Sequence, residues 1–251
     1  MSRQPPQRDL APIAQRLRFR YAKRGRLRFS SHRDFQRALE RALRRAQIPM
    51  AFSAGFSPHP KISYANAAPT GAASEAEYVE IAVTRPLDPA DVRGALDDAL
   101  PPGLDIIEVV EARSADFASR LQASHWSMAL PQVGVPILQA AVDALMSHGS
   151  VVVERVTKTG TKAVEVRNAL IGVRVHPGED GCAILEAFVR HTTPAVRPDD
   201  VVTALTQVAA LVPPEPPRFT RLAQGPLDEA TGLIGDPFAA DRADPAETTA
   251  R

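Results

Sequence analysis

An alternation of arginine and apolar side chains over residues 16–21 constrains the fold of this chain more than any other feature. Successive side chains of a β-strand point to opposite faces of a sheet, so the pattern predicts a strand with arginines on one face only. After a turn at residues 23–25, residues 26–29 resume the alternation and predict either a hairpin or one long bent strand. The side chains predicted to face the core are Leu17, Phe19, Tyr21, Leu27 and Phe29. This arrangement fits a sheet that helices cover on one face.

A helix is predicted directly after this segment, because apolar side chains recur at i, i+3, i+4, i+7, i+8 and i+11 from Phe35. Ser30 and Ser31 are candidate N-caps, and Pro49 ends the pattern. Further patterns predict a helix at 87–100 and strands at 61–66, 77–84 and 104–110. The order strand, helix, strand, strand, helix, strand is that of the ferredoxin-like split βαβ fold.

The second half of the chain repeats this order of elements without a sequence repeat. Strands are predicted at 124–130, 151–157, 163–175, 182–190 and 218–222, and helices at 135–148 and 199–212. The predicted fold class is α+β, with two ferredoxin-like (split βαβ) sandwiches in tandem, at residues 15–112 and 123–226. Composition further predicts a disordered N-terminal arm over residues 1–14 and a disordered C-terminal tail over residues 227–251.

The charges of the chain are distributed unevenly along the sequence. Residues 1–50 contain 14 basic and three acidic side chains, a net charge of +11. Residues 51–251 contain 16 basic and 26 acidic side chains, a net charge of −10, so the formal total of +1 averages two unlike regions. Such an asymmetry predicts a polyanionic partner, or contacts between oppositely charged surfaces.

Basic side chains also recur on the predicted first helix, opposite its apolar stripe. A polyanion would relieve the self-repulsion of such a face, and we predict that it binds RNA. Because the nearby aromatic side chains are predicted to face the core, recognition would depend on shape and phosphates rather than base stacking. The alternatives are docking of an acidic protein surface and a solvated face without a function. The predicted RNA-binding residues are Arg18, Arg20, Arg28, Arg37, Arg41, Arg44, Lys61, Lys158, Lys162 and Arg167.

Three polar segments, at residues 31–34, 55–61 and 71–78, follow the basic strand. If these loops meet, their acidic and imidazole side chains could form an acid–base or metal site. The competing interpretation is structural, because serine and aspartate at a helix start are ordinary caps and a loop histidine is commonly exposed. No metal ligands are predicted, since nothing fixes a metal-binding spacing. The candidates for hydrolase- or transferase-like catalysis are His32, Asp34, His59, Glu75 and Glu77.

Four motifs in a fixed order carry a resemblance to a known family. They are Arg28-Phe29-Ser30-Ser31-His32-Arg33-Asp34, Arg41-Ala42-Leu43-Arg44-Arg45-Ala46, Gly55-Phe56-Ser57-Pro58-His59-Pro60-Lys61-Ile62-Ser63, and the segment from Gly71 to Tyr78. With these motifs, residues 17–111 resemble the radical-SAM-linked protein family, an uncharacterised bacterial domain family. Residues 158–167 resemble the family's basic turn and strand, which extends the likeness to about residue 225.

The resemblance implies a partner for this chain. Family members are fused to, or paired with, a radical SAM protein that has a cobalamin-binding-like region. That partner is expected to use S-adenosylmethionine and an iron–sulfur cluster, and no cofactor is predicted for this chain itself. Its single cysteine, Cys182, cannot supply the three cysteines of a radical SAM cluster motif. Together with the basic face, the resemblance predicts an accessory, RNA-binding subunit that presents a structured RNA, either tRNA or rRNA, for modification. The alternative is a protein-only adaptor that docks the radical SAM subunit.

Composition also predicts where the protein resides. No apolar run approaches the roughly 18 residues of a membrane-spanning helix. The N-terminal segment is basic without an apolar stretch, and one cysteine is typical of a reducing compartment. We therefore expect a cytoplasmic protein without membrane contact.

Overall fold

The structure is a computed structural model and describes residues 11–158 and 160–242. Its strands within these residues are β1 (Gln15–Lys23), β2 (Ile62–Ala65), β3 (Ala73–Val83), β4 (Ile106–Glu111), β5 (Ala123–Leu130), β6 (Val152–Thr157), β7 (Gly160–Glu165), β8 (Leu170–Pro177), β9 (Ala183–Arg190) and β10 (Arg218–Gly225). The α-helices are α1 (His32–Arg45), α2 (Pro89–Ala99), α3 (Val135–Ser147), α4 (Pro198–Ala209) and α5 (Ala239–Arg242). Mainly antiparallel strands with these helices confirm the predicted α+β class. No helix of the described residues is long and apolar enough to cross a membrane.

The first of two compact units contains residues 11–70, 75–118 and 238–242. Its strands are hydrogen-bonded in the order β4-β1-β3-β2, and helices α1 and α2 pack side by side. The strand β1 is antiparallel to β4, and β2 is antiparallel to β3. The core of this unit includes Leu17, Phe19, Tyr21, Phe35, Leu39, Ile81 and Leu96. The predicted inward face of residues 16–21 is therefore confirmed.

The second unit contains residues 71–74 and 119–237. Its strands follow the order β10-β5-β9-β8 with antiparallel pairing, and β6 and β7 form a separate hairpin. A short parallel pairing joins residues 73–74 to β10. Helices α3 and α4 pack together. Buried side chains of this unit include Trp126, Met128, Leu138, Leu145, Val201 and Leu205.

Residues 25–29 form a 3₁₀ turn, so the prediction of a strand or hairpin arm over 26–29 is wrong. Gly25 has a φ of +54°, which turns the chain out of β1 in a conformation that glycine adopts without strain. The backbone N–H of Leu27 donates to the carbonyl of Arg24, and the N–H of Ser30 donates to that of Leu27. In this turn the ring of Phe29 is 59% exposed instead of facing the core.

Residues 227–242 are ordered, which corrects the prediction of a disordered tail from residue 227. Phe238 is 1% exposed and packs against the rings of Tyr78 and Phe117 at centroid distances of 5.3 and 5.5 Å. The composition of this Ala-, Asp- and Pro-rich segment predicts disorder because it does not show that a single aromatic ring, Phe238, and a single carboxylate, Asp241, are buried in the first unit. Of the predicted arm and tail, residues 1–10 and 243–251 lie outside the described residues.

Replacement of Gly225 by alanine is expected to destabilise the second unit. An added Cβ would overlap the backbone carbonyl of Gly235, a rigid neighbour that cannot rotate away. We expect the free energy of unfolding in urea to fall by about 1–3 kcal/mol, the usual cost of overpacking. The control is Gly149→Ala, which adds a Cβ to open space and should stay within about 0.5 kcal/mol of the native protein. Equal stability of the two variants would contradict the close approach of Gly225 to the carbonyl of Gly235.

Candidate nucleic-acid interface

Helix α1 is fixed at its start by a reciprocal pair of hydrogen bonds. The hydroxyl of Ser31 accepts from the backbone N–H of Asp34, and the backbone N–H of Ser31 donates to the Asp34 carboxylate. The Ser31 hydroxyl also donates to the Asp34 carboxylate, and this hydrogen bond, followed by that of the Ser31 N–H, holds the pKa of Asp34 below its usual value. Apolar side chains of α1, including Leu39 and Leu43, are buried, and the helical period therefore turns its arginines outward. The α1 arginine row comprises Arg33, Arg37, Arg41 and Arg44, all exposed.

The α1 arginine row makes no ion pair with the described residues. Within the part of the chain that the structure describes, no carboxylate forms an ion pair with any of the four guanidinium groups. Several other arginines of the first unit do form ion pairs. Arg24 contacts Glu75 and lies 2.7 Å from Asp105, and Arg16 lies 3.0 Å from Glu80. The row is therefore a basic surface without an ion-pair partner among the described residues, and the one carboxylate whose pKa it lowers is that of Asp34, through Arg37.

Arg18, a predicted RNA-binding residue, is buried instead of open to a ligand. It is 3% exposed, and its guanidinium lies 2.9 Å from Glu80 and 2.7 Å from Asp241. It also donates to the backbone carbonyl of Ser114 and lies over the ring of Phe117. Alternation placed Arg18 correctly on the face opposite the core, but residues 112–118 and α5 cover it there. This corrects its assignment to phosphate binding.

The other predicted basic residues differ in how accessible they are. Arg20 is half-buried, and Arg28 is half-buried with its guanidinium 4.7 Å from the centre of the Phe29 ring. Lys61 in the first unit is exposed, as are Lys158 and Lys162 in the second. Arg167, also in the second unit, is half-buried and donates to the carbonyl of Met146. Their role in RNA binding stays a prediction.

Exposed aromatic side chains, which the sequence patterns missed, accompany the basic residues of the first unit. Phe29, Phe52 and Phe56 are 59%, 44% and 58% exposed. Phe52 and Phe56 belong to the 51–61 hairpin, in which the backbone N–H of Ser53 donates to the carbonyl of His59 and the Ser53 hydroxyl accepts from the His59 N–H. The Gly55 and proline content of this segment marked it as a loop, but composition alone does not tell an exposed ring from a buried one.

The five candidate catalytic residues make contacts that are mostly structural. Asp34 caps α1, Glu75 pairs with Arg24, and buried Glu77 accepts from the backbone N–H of Ala68. The exposed ring of His32 packs edge-on against Tyr64 at 4.7 Å, and the side chain of His59 is exposed in the hairpin. No group of three or more His, Cys, Asp or Glu among residues 11–158 and 160–242 has the geometry to hold a metal ion. Catalysis by these five residues stays a prediction.

A second polar cluster, in the second unit, was not found from the sequence. The Nε2 atoms of His125 and His176 each lie 3.4 Å from a carboxylate oxygen of Glu186. The His125 ring also stacks on Phe188 at 4.2 Å. The three polar residues come from β5, β8 and β9, so only the register of the paired strands brings them together and no local motif reports them.

Comparison with known proteins identifies the family of this chain. No curated protein matches the sequence. A protein-family model matches residues 16–198, a range that includes the α1 arginine row, the 51–61 hairpin and the cluster around Glu186. Its description is "uncharacterized protein conserved in bacteria (DUF2344)". The chain therefore belongs to the DUF2344 family of uncharacterised bacterial proteins.

Proposed function

We propose that this chain binds a structured RNA, tRNA or rRNA, through the α1 arginine row and presents it to a radical SAM enzyme for modification. The observation that carries the proposal is the row itself, four exposed guanidinium groups without an ion-pair partner in the described part of the chain. Their mutual repulsion is relieved when phosphates bind, and the counterions released from the RNA add to the affinity.

The geometry of the row suits a phosphate backbone better than scattered acidic side chains. Arg37 and Arg41 are four residues apart, which places them about 6 Å apart along the helix axis, and the whole row extends over about 16 Å. A guanidinium binds phosphate through two parallel hydrogen bonds, so each member can engage one group of a repeating anion. Such contacts position a nucleic acid without reading its sequence.

The strand order supports the finer prediction of two ferredoxin-like units. In the first unit, β3 lies between β1 and β2, and β1 lies between β3 and β4. Each strand–helix–strand crossover thus encloses one strand of the other, which is the arrangement of a split βαβ pair. The order β10-β5-β9-β8 repeats this arrangement in the second unit, with the β6–β7 hairpin as an insertion.

The radical SAM partner is proposed from the motifs of the sequence. The motif at residues 28–34 and that at residues 41–46 resemble those of a family fused to or paired with radical SAM proteins, and both lie within residues 16–198. The single cysteine of the chain leaves the cluster and S-adenosylmethionine to the partner. In this arrangement the chain supplies RNA affinity and the partner supplies the chemistry.

Filter binding of the full chain to bulk tRNA tests the proposal. Four phosphate contacts predict that the logarithm of the binding constant falls against the logarithm of the salt concentration with a slope of about −3 or steeper. Absence of binding at low salt would overturn the RNA proposal. Capture of the radical SAM subunit by nuclease-treated protein that does not bind RNA would instead establish the adaptor function.

A further inference from the structure

We infer that a cavity between α1 and the 51–61 hairpin binds one unpaired pyrimidine base of the RNA. The inference rests on the proposed function and names the part of the RNA that the first unit recognises. The residues that line the cavity are Glu40, Leu43, Arg44, Ile48, Met50, Phe52 and Pro60. Arg44 belongs to the α1 arginine row, so the cavity adjoins the surface proposed to hold the phosphates.

The size of the cavity matches a single six-membered ring. Its volume is about 120 Å³. A dry apolar cavity of about 150 Å³ in another protein binds benzene, whereas one water molecule occupies about 30 Å³. The space is therefore on the scale of one aromatic ring, so a pyrimidine leaves less of its surface outside it than the larger two-ring system of a purine does.

The walls of the cavity offer the contacts that a base requires. Leu43, Ile48 and Met50 provide apolar walls, which exclude water from the faces of a flat ring. Phe52 is 44% exposed although it lines the cavity, so its ring is available to stack on a base that enters from solvent. Stacking of one base on an aromatic side chain contributes about 1–3 kcal/mol and tolerates any base.

Two charged residues give the cavity polarity. The Glu40 carboxylate is half-buried and accepts a hydrogen bond from the Gln36 amide at 3.4 Å, which leaves further acceptor capacity. It can accept from the amino group of cytosine or the ring N–H of uracil, but it repels a phosphate. Arg44 is exposed and unpaired among the described residues, and it attracts the phosphate. The base edge therefore faces Glu40, and the backbone follows the arginines.

Charge complementarity favours a nucleotide over an apolar side chain of a protein partner. The cavity adjoins a row of four arginines without an ion-pair partner among the described residues, and a nucleotide joins a flat ring to an anion at a fixed short distance. Base pairing hides the ring inside a duplex, so only an unpaired nucleotide can enter. The inference thus predicts that this chain distinguishes single-stranded from double-stranded RNA.

Fluorescence anisotropy with labelled 12-nucleotide RNAs tests the inference on the full chain. The probes are oligouridine, oligoadenosine and a duplex of the same length. We expect Phe52→Leu, which keeps an apolar side chain, to weaken oligouridine binding about tenfold, since stacking of one base is lost. Affinity for the duplex should stay unchanged, because the arginine row remains. Oligoadenosine should bind the native protein more weakly than oligouridine.

Two further variants keep the test decisive. Phe56→Leu alters a more exposed ring of the same hairpin that does not line the cavity, and it should change the affinity less than twofold. Glu40→Gln should alter the preference between oligocytidine and oligouridine while duplex binding persists. Unchanged oligouridine binding by Phe52→Leu, in a protein that still binds the duplex, would overturn the cavity assignment and leave the proposed function intact. Loss of radical SAM subunit capture by Phe52→Leu, with RNA affinity unaltered, would overturn it in favour of a protein ligand.

Discussion

Replacement of Arg37, Arg41 and Arg44 by glutamate is expected to weaken tRNA binding about a hundredfold or more at moderate salt. Each substitution removes one phosphate contact and introduces a charge that repels the backbone. The slope of log affinity against log salt should become shallower by about 2–3, because the counterions that the three lost phosphate contacts would have released stay on the RNA. The three side chains are exposed and are not part of the buried core, so far-UV circular dichroism should match that of the native protein.

The matched control for this experiment reverses three other exposed arginines. Arg85, Arg174 and Arg218 lie outside α1, and their replacement by glutamate changes the net charge by the same amount. We expect this control to retain most of the affinity and the salt slope of the native protein. Equal losses in the two triple variants would show that net charge, not the arginine row, governs binding, and the proposed interface would then be wrong.

The sequence predicted the elements of this fold well because two simple periods report burial directly. The period of two at residues 16–21 gave the inward face of β1, and the helical period from Phe35 gave the buried stripe of α1. The arginine row followed from the same helical period, since a side chain opposite a buried stripe faces outward. The outward direction of a side chain is thus a local property, and local pattern is enough to find it.

What covers an outward-facing side chain is not a local property, and there the sequence predictions failed. Arg18 faces away from the core as predicted, yet its guanidinium meets Asp241, a residue 223 positions away. The alternation predicts that Phe29 faces the core, but the left-handed turn at Gly25 ends the strand before this residue and leaves its ring exposed. The cavity beside Phe52 is likewise formed by α1 and a hairpin that comes after it, so no single motif could reveal it.

Replacement of Asp241 by asparagine is expected to lower the free energy of unfolding by about 3 kcal/mol at pH 7, the cost of breaking a buried ion pair. The Asp241 side chain is fully buried, lies 2.7 Å from the Arg18 guanidinium, and accepts from the backbone N–H groups of Arg113 and Ser114 at 3.1 Å. An asparagine side chain carries no negative charge. The buried guanidinium of Arg18 would then keep only the Glu80 carboxylate as an ion-pair partner. Urea denaturation followed by circular dichroism measures the loss.

The pH dependence of unfolding separates this ion pair from mere packing. Burial by itself would raise the pKa of Asp241, but hydrogen bonds from Ser114 and Arg18 outweigh it and hold the pKa below its usual value. A carboxyl with a lower pKa in the folded state stabilises the protein at all pH values above its unfolded pKa of about 3.9. That stabilisation is lost as the pH falls from about 4 through the folded pKa, and Asp241→Asn should lack this part of the acid-induced loss.

The exposed residue Asp143 provides the control, because Asp143→Asn makes the same chemical change on the surface of α3. Its stability should stay within about 0.5 kcal/mol of the native protein at neutral pH. If Asp241→Asn is equally harmless, the C-terminal segment is not held by its contact with Arg18, and Arg18 becomes available for the ligand to which the sequence first assigned it. If Asp241→Asn is destabilising while tRNA affinity is retained, the ion pair supports the unit and the α1 arginine row binds the RNA without Arg18.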